Sequence, residues 1–298
     1  MMARMACLQA AAVLAALAVL APIAADSAEG PYVVNCHDKS LGTVQRTLSG
    51  DCAGEVVGDE EAAAIQQKRR DYIRSVLSKP SGSKVQGKRL AGVGSGFFVA
   101  SDGSLITNYH VVDDCAAVSI SPTFGEMVLA SAIIPNEQAD LALLRADLTP
   151  PGIAGFIKGA DSIYRGPGYL VGYPNQGLVT IEPVITPVAV LHQQNTTSSA
   201  PAFVIKGDVR QGNSGGPLLD SGGGVVGVVF AKVNSVKAFE TTGERVRDIG
   251  LALPGTVVQA FLDQNNVRYS AIPRRSPQPE SQILIDARPF VAQIGCWK

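Results

Sequence analysis

The sequence has almost no excess of charge of either sign, and its histidines and cysteines do not have the spacing typical of metal ligands. Beyond its first residues it has no long apolar run. It has 25 Lys and Arg against 26 Asp and Glu, a formal net charge of -1. This balance gives no electrostatic signal for nucleic acid or for an anionic membrane, so we expect neither partner. Its three histidines are scattered and no Cys-x-x-Cys occurs, so we predict no metal site and no cofactor. With 46% hydrophobic residues, the chain can form a substantial core.

Residues 1–25 have the pattern of a secretory signal peptide. Arg4 precedes an apolar run at 8–24, and small residues end it before Asp26. The alternative is a membrane anchor, but Pro22 interrupts a run that is short for a span of about 20 residues. We therefore expect an exported bacterial protein, periplasmic or secreted, with no stable membrane insertion after cleavage.

Four cysteines remain once Cys7 leaves with the signal peptide, and an even number in an exported chain favours disulfides. Three pairings are possible. Cys36 with Cys52 is the local pairing, worth about 3 kcal/mol by chain entropy. It leaves Cys115 with Cys296, which would fasten the C-terminal tail to the body. Two buried free thiols are the alternative.

Residues 26–87 form an N-terminal extension whose clearest predicted element is a helix at about 59–79. Asp59 is a candidate cap, acidic residues follow in the first turn, and Lys79-Pro80 ends the helix. One face is apolar, with Ile65, Tyr72, Ile73, Val76 and Leu77 at helical spacing. We expect this face to pack on the main domain; an inhibitory role is the alternative.

Residues 88–265 consist of short β-branched and aromatic runs separated by turn residues. The run "SGFFVASDGSLITNYHVV" predicts two strands joined at Asp102-Gly103. Regular spacing with little helical periodicity predicts an antiparallel all-β domain of sandwich or barrel type. A short helix is expected after Pro254. Residues 266–298 form a tail whose apolar end could add a strand.

The stretch "DVRQGNSGGPLLD" places Ser214 in a glycine-rich loop. A serine nucleophile needs a base, a group that orients the base, and donors for the oxyanion. Gly212 permits a tight loop, and the amides of Gly212 and Ser214 can point at one oxygen. A simple turn between strands is the alternative reading of this loop until a base is found.

His110, at a strand end, is the candidate base, because His37 and His192 have the setting of surface histidines. Asp140 opens the apolar run "LALL" and is the candidate orienting acid. Taken alone it would be read as a strand cap. The order His, Asp, Ser along the chain favours the catalytic interpretation.

Four motifs in order, "GSGFFVASDGSLITNYHVV", "ADLALL", "DVRQGNSGGPLLD" and "DIGLALP", resemble the chymotrypsin-like serine proteases, specifically the bacterial HtrA-type periplasmic branch. The resemblance covers about residues 88–265. It implies two six-stranded antiparallel β-barrels, here with an added N-terminal helix, and an active site between the barrels. It also implies Ser214 as nucleophile, His110 as general base and acid, Asp140 as its partner, and Gly212 with Ser214 as oxyanion donors.

Three departures from the family pattern matter. About 30 residues follow the matched region, so we expect no PDZ domain. Asn213 stands where digestive members have an aspartate, so other contacts must hold the oxyanion loop. The cysteine-bearing terminal segments match no part of the pattern.

Substrate specificity is left with two readings. Asp208 lies where trypsin has the aspartate of its specificity pocket, and a carboxylate there would bind a basic P1 side chain. HtrA-type relatives instead prefer small aliphatic P1 residues, and the predicted pocket wall is Phe230, Ala231 and Lys232. Asp208 could then pair with Lys232 or Arg210. The function implied is an exported serine endopeptidase acting on polypeptides; the alternative is an inactive or gated protease-fold binding or chaperone module.

Overall fold

A computed structural model describes residues 30–39, 42–77, 85–159, 164–174, 182–195 and 201–298. The signal peptide expected at residues 1–25 and the helix end expected at Lys79-Pro80 lie outside the described residues. Among the described residues, no helix combines the length and the apolar character that a membrane span requires.

The N-terminal extension contains a small antiparallel sheet as well as the predicted helix. Its strands are β1 (Val33–Asp38), β2 (Thr43–Leu48) and β3 (Glu55–Val57), in the order β2-β1-β3. Helix α1 (Asp59–Leu77) begins at the predicted residue, with acidic side chains in its first turn. The Cys36–Cys52 disulfide forms as predicted and holds β1 to the segment that follows β2. The sequence analysis did not predict these three strands.

The first barrel is a closed ring of six strands. Its members are β4 (Leu90–Phe98), β5 (Ser104–Thr107), β6 (Ala117–Pro122), β7 (Val128–Asn136), β8 (Leu141–Ala146) and, from the C-terminal end of the chain, β17 (Val291–Trp297). The order around the ring is β17-β4-β5-β8-β7-β6. A short helix, α2 (Tyr109–Val112), follows β5. The predicted hairpin of β4 and β5 is confirmed, with Phe98 paired to Leu105.

The second barrel also has six strands. They are β10 (Gly166–Gly172), β11 (Val184–Asn195), β12 (Pro201–Lys206), β13 (Pro217–Asp220), β14 (Val225–Lys232) and β15 (Ile249–Pro254). Pairing of β13 with β14 closes the ring, and β9 (Gly155–Ile157) and β16 (Ser270–Ile272) extend the sheet beside β14. The fold class predicted from the sequence, two six-stranded antiparallel barrels, is confirmed.

Three further helices lie outside the barrels: α3 (Ser235–Thr242), α4 (Gly255–Gln264) and α5 (Glu280–Ala287). Helix α4 is the one predicted after Pro254, and Val258 and Phe261 on it are buried. One buried apolar cluster extends from the first barrel to Val171 of β10 and Val228 of β14 in the second barrel, and includes Phe156 and residues of α4; another cluster lies mainly within the second barrel. The two barrels are therefore packed against each other.

Strand β17 completes the first barrel, since it pairs with β4 on one side and β6 on the other. Its Ile294 is fully buried, and the Trp297 indole donates a 2.8 Å hydrogen bond to the Ser119 hydroxyl. The Cys115–Cys296 disulfide joins this strand to the loop after α2, as predicted. Residues 291–297, which the sequence analysis assigned to the tail, belong to the barrel, because without them β4 and β6 would have open edges.

Candidate active site

His110 and Asp140 meet at one rim of the first barrel, where α2 follows β5 and where β8 begins. Asp140 Oδ2 lies 2.7 Å from His110 Nδ1, and Asp140 Oδ1 accepts a 2.9 Å bond from the His110 backbone amide. Both oxygens of the carboxylate are thus committed to one residue. The imidazole is oriented through Nδ1, which leaves Nε2 for a substrate or a nucleophile.

Asp140 has an unusual backbone conformation, and hydrogen bonds from Asn108 and Tyr109 stabilise it. Asp140 has φ +50, in the left-handed region that aspartate tolerates better than most residues. Its carbonyl accepts a 2.7 Å bond from the side chain of the buried Asn108 and a bond from the Tyr109 amide. These bonds fix the start of β8 against the start of α2, so the carboxylate reaches the imidazole without loop movement.

The loop that carries Ser214 belongs to the second barrel, just before β13. Gly212 has φ +92, a conformation that favours glycine. Asn213 is 1% exposed and its Oδ1 accepts a 3.0 Å bond from the Arg210 amide. This closed turn stabilises the Ser214 loop. Asn213 stands where digestive members of the family have an aspartate, and it supplies one of the other contacts that we expected to hold this loop.

Ser95 on β4 ties this loop to the first barrel, and sequence reasoning missed it. The fully buried Ser95 hydroxyl donates a 2.6 Å bond to the Gly212 carbonyl and accepts a 2.8 Å bond from the Tyr173 amide. The Ser95 amide donates to the Ser214 carbonyl at 2.8 Å. The available signal was the motif "GSG", whose serine lies between two glycines in a buried strand.

Close backbone packing places the Ser214 loop beside the His110 rim. A Cβ on Gly215, which has φ +85, would lie 2.2 Å from the Ser95 carbonyl oxygen and 3.0 Å from the Asn108 amide nitrogen. Asn108 is two residues from His110. Within the described part of the chain, no hydrogen bond links Ser214 to His110 directly.

The amides of Gly212 and Ser214 are available to an incoming oxygen. In the described segments neither amide donates a hydrogen bond to another protein group. Two backbone donors beside a serine hydroxyl are what an oxyanion at a tetrahedral carbon requires. The oxyanion roles of Gly212 and Ser214 stay a prediction from the resemblance.

The predicted specificity residues separate into two groups. Phe230, Ala231 and Lys232 line a cavity of about 850 Å³ together with Ser214 and the buried Val209. Asp208 does not line it. Its carboxylate accepts a 2.6 Å bond from Arg210 Nε and borders a neighbouring cavity of about 500 Å³ beside the N-terminal sheet. Arg210 is one of the two partners that the sequence analysis considered for Asp208.

Two other features of the site region concern ionisation and metals. Burial raises the pKa of the Tyr173 phenol to about 12, and its hydroxyl bonds to Thr123 at 2.8 Å, so it stays neutral beside the Ser95 contact. Across the residues that the structure describes, no three His, Cys, Asp or Glu side chains cluster as metal ligands.

Residues 94–228 match a family model described as the trypsin-like peptidase domain. The fold and this match indicate a trypsin-like peptidase domain in residues 94–228. The relatives that the chain matches include HtrA- and DegP-type serine proteases.

Three relatives illustrate the range of similarity. The chain is 30% identical, over 57% of its length and 26% of the relative, to an uncharacterized protein, y4bJ, of Sinorhizobium fredii. It is 27% identical to the serine protease Do-like HtrA of Lactococcus lactis, over 62% of this chain and 47% of that protein. It is 26% identical to a probable periplasmic serine endoprotease DegP-like of Chlamydia trachomatis, over 57% and 33%.

The chain spans from about a quarter to about half of the length of these relatives. Among solved structures, the serine endoprotease from Yersinia pestis is similar over 58% of this chain and 57% of that one, with 22% identity and a TM-score of 0.47.

Proposed function

We propose that the chain is an exported serine endopeptidase that hydrolyses peptide bonds through Ser214, His110 and Asp140. The observation that carries this proposal is the double contact of Asp140 with His110, beside a glycine loop that presents Ser214. A strand cap would have no need to bind an imidazole nitrogen. The trypsin-like peptidase domain over residues 94–228 supports the same assignment.

The proposed reaction is acyl transfer. Ser214 Oγ attacks the carbonyl carbon of the scissile bond while its proton passes to His110 Nε2. The carbonyl oxygen becomes an oxyanion that accepts bonds from the amides of Gly212 and Ser214. When the tetrahedral intermediate collapses, the C–N bond breaks and His110 gives its proton to the leaving amine. Water then attacks the acyl-enzyme by the same sequence and restores the Ser214 hydroxyl.

Asp140 acts on the imidazole and not on the substrate. Its Oδ2 accepts from Nδ1, which fixes the tautomer with a free lone pair on Nε2 and stabilises the imidazolium during each step. Ser95 is a positioning residue, because it holds the Gly212 carbonyl and thereby fixes the Gly212–Asn213 peptide, which lies between the peptides that carry the two proposed oxyanion donors.

Export to the bacterial envelope is part of the proposal. Two disulfides, Cys36–Cys52 and Cys115–Cys296, require an oxidising compartment to persist. A relative described as a periplasmic endoprotease supports the same location. Location is tested by fractionating cells that express the full chain and by mass spectrometry of the mature N-terminus; a cytoplasmic, full-length product with reduced cysteines would contradict export.

For the residue before the scissile bond we propose a small apolar side chain. The cavity wall beside Ser214 is apolar at Val209, Phe230 and Ala231. The Asp208 carboxylate is bound to Arg210 and does not line this cavity. Asp208→Ala should therefore leave the ratio of cleavage after Arg to cleavage after Ala or Val unchanged. A loss of cleavage after Arg and Lys in this variant would instead assign Asp208 to a basic P1 pocket.

The central experiment is reaction of the purified mature protein with a fluorophosphonate probe, read by intact mass. An adduct is expected on the wild type and not on Ser214→Ala or His110→Ala. Circular dichroism shows whether each variant is folded. The absence of an adduct on folded wild-type protein would contradict the proposal and favour a gated or inactive binding module. The lack of a Ser214–His110 hydrogen bond among the described residues is the observation consistent with that alternative.

A further inference from the structure

The N-terminal sheet is fixed to the peptidase domain and is not a loose appendage. The Asp51 carboxylate, only 10% exposed, forms ion pairs with Arg245, at 2.6 Å, and with Arg247 in the segment between α3 and β15. Arg247 also donates to the Gly50 carbonyl. The Cys36–Cys52 disulfide holds the neighbouring residue to β1. These contacts set the position of the whole sheet relative to the second barrel.

This attachment brings β2 to the cavity that contains Ser214. The 850 Å³ cavity, which we call the basic cleft, is bounded by β2, by α1 through Gln66 and Arg69, and by residues 230–240. Among the described strands β2 pairs with β1 alone, so its other edge has no strand partner where it lines the basic cleft. On the opposite side, β14 pairs with β15 through Ala231 and Lys232, while its other edge is bonded to β13 as far as Val228 and to Gly215 and Gly216 at Val229, which leaves that edge open from Phe230. Two open strand edges therefore flank the basic cleft, and an extended peptide can lie between them.

The charge of the basic cleft differs from that of the chain as a whole. Arg46, Lys232 and Lys237 line it with exposed side chains, and in the described residues none of them forms an ion pair. Arg210 is neutralised by Asp208, and Glu240 is the one acidic side chain among the lining residues described. The chain's net charge is -1, so this concentration of positive charge is local. Such a lining favours anionic groups and disfavours cationic ones.

We propose that the basic cleft is a substrate subsite that selects extended polypeptides with Asp or Glu side chains close to the scissile bond. Arg46 on the N-terminal extension and Lys232 and Lys237 on the peptidase domain supply the charge. The inference rests on the proposed function of Ser214 and adds the substrate class. It also gives the N-terminal extension a role in specificity, because Arg46 reaches the substrate only when the sheet is fixed by Asp51.

The test uses two sets of peptides that are identical except for Glu or Gln at single positions on both sides of a cleaved bond. For the wild type we expect kcat/KM about 2- to 5-fold higher for the best Glu peptide, as exposed charge pairs of this kind allow. The preference should fall as salt rises. In the double variant Arg46→Glu with Lys237→Glu, the preference should disappear or reverse. Lys158→Glu, an exposed charge reversal outside the basic cleft, should keep it.

Binding to the inactive Ser214→Ala protein, measured by fluorescence anisotropy with the same peptides, separates this inference from the proposed function. If the probe fails to label Ser214 but Glu peptides bind more tightly than Gln peptides, the peptidase proposal fails and the subsite stands. Equal affinity for both peptides, or a preference that survives the double variant, overturns the subsite. Equal acceleration of Glu and Gln cleavage in the double variant also overturns it, since that result would make the sheet a barrier.

Discussion

The Ser95 hydroxyl of the first barrel donates a 2.6 Å hydrogen bond to the Gly212 carbonyl in the nucleophile loop of the second barrel. The same oxygen accepts from the Tyr173 amide, and Ser95 is fully buried. One hydroxyl thus joins the two barrels beside the residues that we propose as oxyanion donors. The alignment of the barrels and the geometry of the loop are set by the same residue.

Ser95→Ala leaves the Gly212 carbonyl and the Tyr173 amide unpaired. We expect the free energy of unfolding to fall by about 1–3 kcal/mol. We also expect kcat to fall about 10- to 100-fold with little change in KM, because a shift of the Gly212–Asn213 peptide would misalign the donor peptides on either side of it. Denaturant unfolding and steady-state kinetics measure both. Ser101→Ala, at an exposed turn, is the control, and an unchanged kcat in folded Ser95→Ala would limit Ser95 to a structural role.

Two glycines with similar positive φ separate backbone strain from steric contact. Gly215 has φ +85 and a Cβ there would lie 2.2 Å from the Ser95 carbonyl oxygen. Gly223 has φ +81 and open space around its Cβ position. Gly223→Ala should cost about 1–2 kcal/mol and keep activity. Gly215→Ala should abolish probe labelling of Ser214. Equal effects of the two substitutions on labelling and stability would show that the contact with Ser95 is unimportant.

Asp140→Asn tests the orienting role without removing the side chain. The amide oxygen can still accept from the His110 backbone, but the NH₂ group would face Nδ1 and place the imidazole proton on Nε2. We expect kcat/KM to fall by about 10⁴. Asp113→Asn changes a nearby exposed carboxylate, which among the described residues accepts from the Tyr109 hydroxyl alone, and should stay within about 2-fold of wild type. A loss under 10-fold for Asp140→Asn would contradict its assignment.

The two disulfides should contribute unequally to stability. Cys115 and Cys296 are 181 residues apart in sequence, and Cys36 and Cys52 only 16. Chain entropy predicts losses of about 5 and about 3 kcal/mol for the respective double alanine variants. Urea unfolding of both variants measures this. Reductant should reduce the stability of each variant only through its remaining disulfide; equal losses for the two variants would contradict the loop-length argument.

Local sequence signals were sufficient for much of the fold and for the candidate triad. The turn at Asp102-Gly103 predicted the β4–β5 hairpin because two adjacent residues decide it. The acidic first turn at Asp59 predicted where α1 begins. Ser214, His110 and Asp140 were found because each stands in a short motif at a strand end, and the order of the three motifs limited the choice.

Contacts between segments that are distant in sequence could not be predicted from local sequence patterns. The strands β1 to β3 are short and largely polar on their exposed faces, so their pairing depends on the Cys36–Cys52 link and on docking against Arg245 and Arg247. The signal at Ser95 is its place between two glycines, which does not by itself indicate that its hydroxyl bonds to the distant Gly212 carbonyl. The sequence left several roles open for Asp208, and the structure shows that its carboxylate pairs with Arg210.

The sequence by itself determined the class of domain, because catalysis by a serine needs particular residue types in glycine-rich loops that leave a clear local pattern. Only the tertiary structure decided that β17 completes the first barrel, that Ser95 joins the barrels, and that β2 lines the cleft beside Ser214. Each of these depends on which distant strand edges meet. That choice is made by the closure of the barrels and the burial of their shared core, which no short stretch of sequence encodes.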